Sequence, residues 1–455
     1  MAGADTYSPL IESRADLIEA MAKGAKPESE WRIGTEHEKH VFHTNPLRPV
    51  EYEGPNGIHA LLGGVQAETG WEPFYDGENP IGLRNDTIGG ISLEPGGQFE
   101  LSGAPQIDLH ASADELAEHM RVSKKVAAPL GIHFLGLGVT PIWSVDQIPA
   151  MPKSRYGIMK PYMEKVGTLG TSMMFRSCTV QTNLDFSSEA DMVKKLRVSL
   201  ALQPVATALF ANSPFSEGRD SGYLSFRSHI WLNTDDARTG MLPFAFDEGF
   251  GFEQYADYAL DVPMYFVIRN GEYVNVAGES FREFLKGELP QLPGEKPTIR
   301  DWEDHLSTIF PEVRLKQFLE MRGADMGDEK SVTALSAFWT GLLYDEVSLE
   351  AAYELIEPWS NEERDHMRRE VPRLGLDTPH DRSNVYDIAA QAVGIAEAGL
   401  VRRNRLNAQG KDETIHLAPL EETIRLAKSP AERWLDKFRG EWNGDLTQIF
   451  KEAEM

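Results

Sequence analysis

Glu36 and Glu38 stand two apart in the run Arg32-Ile33-Gly34-Thr35-Glu36-His37-Glu38-Lys39-His40-Val41-Phe42. An extended chain puts i and i+2 side chains on one face, roughly 7 Å apart. Carboxylates held that close repel, so one takes up a proton unless a cation joins them. Taken alone, the pair reads as an exposed strand face with incidental charge. Comparable positions recur, however, at Glu94, Glu100 and Glu320, and Gln181 offers a neutral oxygen on a further alternating segment. Burying several uncompensated carboxylates costs several kcal/mol per ion even after relaxation, so they must be neutralised or stay wet. Hard oxygen donors without a cysteine set or paired-His spacing suit Mg²⁺, or Mn²⁺, with one or two carboxylates per ion beside substrate phosphates. Glu36, Glu38, Glu94, Glu100, Gln181 and Glu320 are therefore the candidate metal ligands.

Arginines supply the opposite charge. Arg176 ends Met173-Met174-Phe175-Arg176, Arg227 and Arg238 bracket Ser228-His229-Ile230-Trp231, and Arg322 shares a strand face with Glu320. A lone arginine is more often a surface charge or a structural ion pair. Glu-x-Arg beside a carboxylate cluster is different, because a guanidinium there grips a phosphoryl group or a carboxylate bidentately. Other motifs fail. His37-Glu38-Lys39-His40 is not the H-E-x-x-H of zinc peptidases, and its two histidines point to opposite strand faces. Gly136-Leu137-Gly138 opens no helix, and there is no phosphate-binding P-loop. Cys178 alternates with Val180 and Leu184, which makes it a buried, inert thiol.

The elements that must position these groups read as α+β. Arg14 to Lys23 forms an opening helix with Ser13 as its N-cap and Gly24 past its end. Residues 44–87, including Arg84-Asn85-Asp86, read as loops. Ile91-Ser92-Leu93-Glu94 and Gln98-Phe99-Glu100-Leu101 flank Pro95-Gly96-Gly97 as a hairpin with a three-residue loop. Ser112 and Glu115 read as a capping box opening a helix to about Leu130, and His133 to Val139 as a strand. Thr179 to Phe186 alternates, with Thr179, Gln181 and Asn183 on one face. A helix from Ser188 to Ala211 contains Pro204, Ser225 to Asn233 reads as a strand with Arg227, His229 and Trp231 on one face, and residues 287–299 form a loop. Beyond Val332 the chain is mostly helical. Strands scattered among helices without βαβ alternation favour an antiparallel sheet backed by helices.

Composition closes off whole classes. In 455 residues, Lys and Arg total 45 against 71 Asp and Glu, a formal net charge of −26. Such a surface repels phosphate backbones and argues against nucleic acid as a partner. No run of eighteen apolar residues predicts a membrane span. Met1-Ala2-Gly3-Ala4-Asp5 lacks the layout of a signal or transit peptide, so a cytoplasmic location is expected. One cysteine excludes an intramolecular disulfide, which leaves a monomer or a homodimer without one.

At the residues that carry the chemistry, the chain resembles the plant-type glutamate–cysteine ligases. The likeness lies in Gly34-Thr35-Glu36-His37-Glu38, in Glu94 to Pro105 and in Arg155 to Met163. It continues through Gln181 to Phe186, Arg227 to Trp231 and Phe318 to Asp325. It implies a glutamine-synthetase-like fold, a curved and mainly antiparallel six-stranded sheet with helices outside. Residues 1–455 would form a single ligase domain, with an N-terminal helix within about 1–30 and a helical part over about 330–455. It also implies an ATP-dependent enzyme joining the γ-carboxylate of L-glutamate to the amine of L-cysteine through a γ-glutamyl phosphate, the first step of glutathione synthesis. ATP would be the co-substrate, with Mg²⁺ held by Glu36, Glu38, Glu94, Glu100 and Glu320. Gln181 falls where related ligases carry a metal-binding histidine. Arg322 would stabilise the phosphoryl group, with Glu320 beside it as the second catalytic candidate. Met173, Met174, Phe175, Arg176 and Arg227 would shape the glutamate pocket, joined by Arg155 and Arg238. The cysteine pairs that act as redox switches in the plant enzymes have no counterpart here. Two alternatives remain open: a related ligase with another amine acceptor, and a catalytically idle metal- or nucleotide-binding protein.

Overall fold

The structure, a computed structural model, describes residues 8–85 and 87–455. Asp86 and the N-terminal residues on which the cytoplasmic reading rests lie outside the described residues. Apolar–polar alternation builds one ten-stranded sheet whose pairings are all antiparallel. In chain order its strands are β1 (Ile33–Thr44), β2 (Leu47–Pro49), β3 (Glu72–Asp76), β4 (Asn79–Asn85), β5 (Gly89–Leu93), β6 (Phe99–Gly103), β7 (Ile132–Leu135), β8 (Thr179–Leu184), β9 (Val313–Leu315) and β10 (Leu319–Asp325). Their spatial order is β9-β10-β8-β1-β6-β5-β4-β3, while β2 and β7 pair with the far end of β1.

The sheet is thus larger than the six strands expected, chiefly because residues 44–87 are not merely loops. They hold β3, β4 and a helix at Ile58–Thr69. Pro73 and Pro80 disguise the two strands, but β3 is an edge strand and the ladder shifts register between Phe74 and Tyr75. Edges and bulges are where a strand tolerates a residue without an N–H.

The helices that matter for the site are α1 (Arg14–Ala22), α2 (Ile58–Thr69), α3 (Leu109–Ala127), α4 (Ser154–Val166), α5 (Gly170–Arg176), α6 (Glu189–Leu209), α7 (Phe226–Trp231) and α8 (Glu329–Leu343). Thr35 of β1 and Thr182 of β8 both hydrogen-bond Ser336 of α8, at 2.9 and 3.1 Å. Lys39 of β1 meets His119 of α3 at 3.0 Å. Odd-numbered residues at the start of β1 therefore face the helices, with Leu93, Phe99, Leu101, Val180 and Leu184 buried beside them. Glu36 and Glu38 face the other way.

Three local expectations are corrected. The helix with Ser112 starts earlier, at Leu109, because Asp108 is its N-cap and accepts from the Ala111 N–H. Glu115 instead accepts from Ala104 N and Gln106 Nε2, both at 2.8 Å. The strand expected over His133 to Val139 is only Ile132–Leu135. Ser225 to Asn233 is not a strand: Ser225 caps α7 by accepting from the Ser228 N–H. Helical spacing then puts Arg227 and Trp231, four apart, on one face and sends His229 onto the ring of Tyr223, 4.1 Å away.

Candidate active site

The face of the sheet turned away from α3 and α8 floors a cavity of about 270 Å³. β1 contributes Glu36 and Glu38, and β5 and β6 contribute Ser92 and Glu100. The hairpin forms as its sequence predicts. Leu93 pairs with Phe99 on the buried side, and the Glu94 N–H donates to Gln98 O, leaving Pro95-Gly96-Gly97 as the loop. Glu94 thereby reaches the same cavity. Gly97 is required in that loop, since its φ of +83° is a region side chains avoid. β8 adds Thr179 and Gln181, and α4, α5 and α7 close the space with Arg155, Tyr156, Met173, Met174, Arg227 and Trp231.

The acidic wall is short of positive charge. Burial pushes Glu36 up to about 6, with the charges of Glu320 and Glu100 adding to the effect. Burial raises Glu38 well above the usual carboxylate range, reinforced by Glu100 and Glu94. Glu100 is raised by the same two causes, burial and Glu94. Their hydrogen bonds are few and mostly neutral. Asn183 Nδ2 donates to Glu36 at 2.8 Å, Thr179 N to Glu38 at 2.9 Å and Ser92 Oγ to Glu100 at 2.8 Å. Arg155 approaches Glu94 at 3.7 Å.

The opposite wall is cationic. On β10, Glu320 is fully buried, and burial alone would raise its pKa. The charges of Arg314, Lys316 and Arg322 override that and hold it below the carboxylate range. Arg314 donates through Nε and Nη2 to its two oxygens, at 2.6 and 2.9 Å. Arg322 Nη1 reaches Glu320 at 2.7 Å and Gln181 Oε1 at 2.5 Å. Arg227 from α7 donates to the Arg322 carbonyl at 3.0 Å.

The structure separates the candidates accordingly. Glu36, Glu38, Glu94, Glu100, Gln181, Arg155, Met173, Met174, Arg227 and Arg322 line one cavity. Glu320 lies in its arginine wall with both oxygens taken, and Gln181 is engaged by Arg322. Both Glu320 oxygens and Gln181 Oε1 thus already accept from arginines in this arrangement. Arg176 ends α5 rather than lying on β8, and its guanidinium turns to Ser216 and Glu217. Phe175 packs with Tyr156, Met163 and Tyr265 behind the cavity wall. Arg238 is fully buried, binding Asp235, the carbonyls of Thr308 and Pro263 and the face of Tyr265. It is a structural ion pair. Cys178 is fully buried with its thiol pushed up, chiefly by burial.

Sequence reasoning missed Arg314, Tyr156, Trp231 and Ser92. Arg314 was the most accessible of them: Val313 and Leu315 alternate with Arg314 and Lys316 just ahead of Glu320, a hairpin signal.

Among the described residues, no three His, Cys, Asp or Glu side chains converge as a ready-made metal site. A cation here would rest on one or two carboxylates with water and phosphate oxygens, which is how Mg²⁺ binds. Glu36, Glu38, Glu94 and Glu100 fit that donor set, since three of them carry raised pKa values for want of a compensating charge.

The cavity thus sets an acidic wall against an arginine wall, on an antiparallel sheet backed by helices. Residues 32–452 match Glutamate-cysteine ligase family 2, and the chain belongs to that family. It is 52% identical over 97% of its length to the chloroplastic glutamate–cysteine ligase of Nicotiana tabacum, covering 82% of that protein. To the chloroplastic glutamate–cysteine ligase B of Oryza sativa subsp. japonica it is 51% identical, again over 97% of its length and 87% of the relative's. Among solved structures, glutamate–cysteine ligase from Francisella tularensis in complex with AMP is similar with a TM-score of 0.55 at 11% identity. That match covers 93% of this chain and 89% of the other, a likeness of fold.

Proposed function

We infer that the protein catalyses the ATP-dependent ligation of L-glutamate to L-cysteine, forming γ-glutamylcysteine in the first step of glutathione synthesis. The observation that carries this reading is the two-walled cavity, found in a chain that belongs to glutamate–cysteine ligase family 2.

The γ-carboxylate of glutamate attacks the γ-phosphorus of ATP, releasing ADP and leaving a γ-glutamyl phosphate. The neutral cysteine amine then attacks the activated carbonyl, phosphate departs with the C–O electrons, and the proton lost from nitrogen passes to the departing phosphate. Phosphoryl transfer of this kind needs positioning and charge stabilisation more than covalent help from the protein. Arg322 faces the cavity with its guanidinium fixed by Glu320 and Gln181, so it stabilises the charge spread over the transferring phosphoryl oxygens. Arg314 orients Glu320, which in turn holds Arg322. Arg227 stands where a substrate carboxylate can be gripped, and Met173, Met174 and Trp231 give that end its apolar surface. Arg155, partly exposed and weakly paired with Glu94, is free to meet a second carboxylate. Glu36, Glu38, Glu94 and Glu100 would hold Mg²⁺, which neutralises the triphosphate when bound. A chelator should silence the enzyme and excess Mg²⁺ restore it.

ADP release coupled to γ-glutamylcysteine formation, followed by mass spectrometry with cysteine and then with other amines, tests the reading. Equal turnover with an unrelated amine would replace cysteine as the acceptor, and ATP binding without turnover would indicate an idle nucleotide-binding protein. A cytoplasmic location is part of this proposal. The two plant relatives reported above are described as chloroplastic, and cell fractionation with an antibody to the chain decides it.

A further inference from the structure

We propose that Asp325 is a positioning residue for this reaction, fixing through Ser213 and Ser225 the place at which Arg227 enters the active cavity. The inference rests on the reading of Arg227 as the grip on a substrate carboxylate. Asp325 is 2% exposed and ends β10, the strand that carries Glu320 and Arg322. Strict alternation would set Arg322 and Asp325, three apart, on opposite faces. The ladder to β8 shifts register between Met321 and Ala324, however, and Asp325 pairs with Thr179, which lines the cavity. That irregularity returns Asp325 to the face of Arg322.

Its carboxylate is the end of a relay. The first N–H groups of a helix have no partner within it. In α7, Phe226 N donates to Ser213 O, Arg227 N to Ser213 Oγ and Ser228 N to Ser225 Oγ, each at 3.1 Å. Both hydroxyls then donate to Asp325, Ser213 Oγ to Oδ2 at 2.6 Å and Ser225 Oγ to Oδ1 at 2.8 Å. An ionised carboxylate only accepts, so it commits both hydroxyl hydrogens and leaves the lone pairs of those oxygens to the α7 N–H groups. Such charge-assisted bonds are roughly twice as strong as neutral ones. Asn212 N is a third donor, reaching Oδ2 at 2.8 Å.

Arg227 needs this anchor because little holds its far end. Nη2 donates to the Arg322 carbonyl at 3.0 Å, and Nε is buried without a partner. Gly138, from the Gly136-Leu137-Gly138 run that opens no helix, shows how closely Asp325 is seated. A Cβ at Gly138 would lie 2.5 Å from the Asp325 carboxyl carbon, so only glycine allows the approach. One strand, β10, thus bears the phosphoryl-stabilising arginine and sets the position of the carboxylate-gripping one.

The test uses the full chain carrying Asp325→Asn, which keeps the shape, removes the charge and leaves a single acceptor oxygen for three donors. The glutamate KM should rise about fivefold, with kcat and the ATP KM held within about twofold. In an Arg227→Ala background the same change should move the glutamate KM by less than about twofold, whereas independent changes would add. Hydrogen exchange followed by mass spectrometry should quicken about tenfold in the peptide spanning α7 and stay as it is in β1. Ser213→Ala and Gly138→Ala disturb the relay at other points. They should share these effects, and they carry the test if Asp325→Asn fails to fold. Unchanged exchange in α7, a fall in kcat at constant glutamate KM, or an effect as large without Arg227 as with it would overturn the proposal. A wild-type glutamate KM in Arg227→Ala alone would instead sink the reading of Arg227, and with it the part of Asp325 in the reaction, even where exchange in α7 quickens.

Discussion

Glu38, half-buried at the cavity, and Glu320, fully buried, face the same side of one sheet, and their surroundings push them in opposite directions. Glu38, with Glu36 and Glu100, has mainly neutral donors and other carboxylates around it, so burial and repulsion raise its pKa. Glu320 sits among Arg314, Lys316 and Arg322, whose charges overcome burial and keep it ionised. The first wall is short of cations and the second is well supplied with them. A cation-bound polyphosphate brings the missing charge to the first and meets guanidinium at the second. The same residue type thus plays two roles, ligand-seeking on one wall and scaffold on the other.

The comparison breaks most visibly at Glu38→Gln. Removing a ligand-seeking charge should lower kcat/KM on the order of 10³-fold, since ground-state and transition-state charge both lose a counterpart. Stability in urea should hold or rise, because repulsion with Glu100 and Glu94 is relieved. Wild-type turnover in this variant would remove Glu38 from the cation-binding wall.

Glu320→Gln should differ in costing stability as well as activity, since Glu320 holds Arg322 in place. It strands Arg314 and Arg322 in a buried place without their anion, at a cost of about 3 kcal/mol. A midpoint of denaturation unchanged from wild type would show that Glu320 is not the scaffold described here.

Arg322→Lys keeps the charge but loses the fork that spans Glu320 and Gln181. A fall in kcat of about 10² is expected, with the ATP KM moving less. Arg227→Ala should act mainly on the ground state, raising the glutamate KM about tenfold, or about 1.4 kcal/mol. If kcat falls instead and KM stays, Arg227 belongs with the phosphoryl-stabilising wall.

The smallest effect is expected behind the walls. Cys178→Ser should leave activity within about twofold while costing about 1–3 kcal/mol of stability, the range for a buried hydroxyl without a partner. Oxidant and reductant should give the same rate when cysteine is supplied freshly reduced. A reductant-reversible loss would mean that this fully buried thiol opens to solvent.

Residue type and local spacing determined a good deal by themselves. Alternation along Thr179 to Leu184, the turn at Pro95-Gly96-Gly97 and the i, i+2 pairs Glu36/Glu38 and Glu320/Arg322 decide which side chains share a face. That is backbone geometry, the same in any fold. The family signature followed from those motifs. Tertiary structure alone decided the rest. Ser225 to Trp231 has a pattern that serves strand or helix, and the Ser225 cap with the packing of Arg227 on Trp231 settled it. Arg176, Arg227 and Arg238 look alike in sequence, yet one joins Ser216, one enters the cavity and one is locked to Asp235. A guanidinium's role depends on which distant carboxylate or carbonyl it meets. Glu320 shows the same limit: its partner Arg314 lies only six residues away, but both of its oxygens are taken only because β9 folds back on β10.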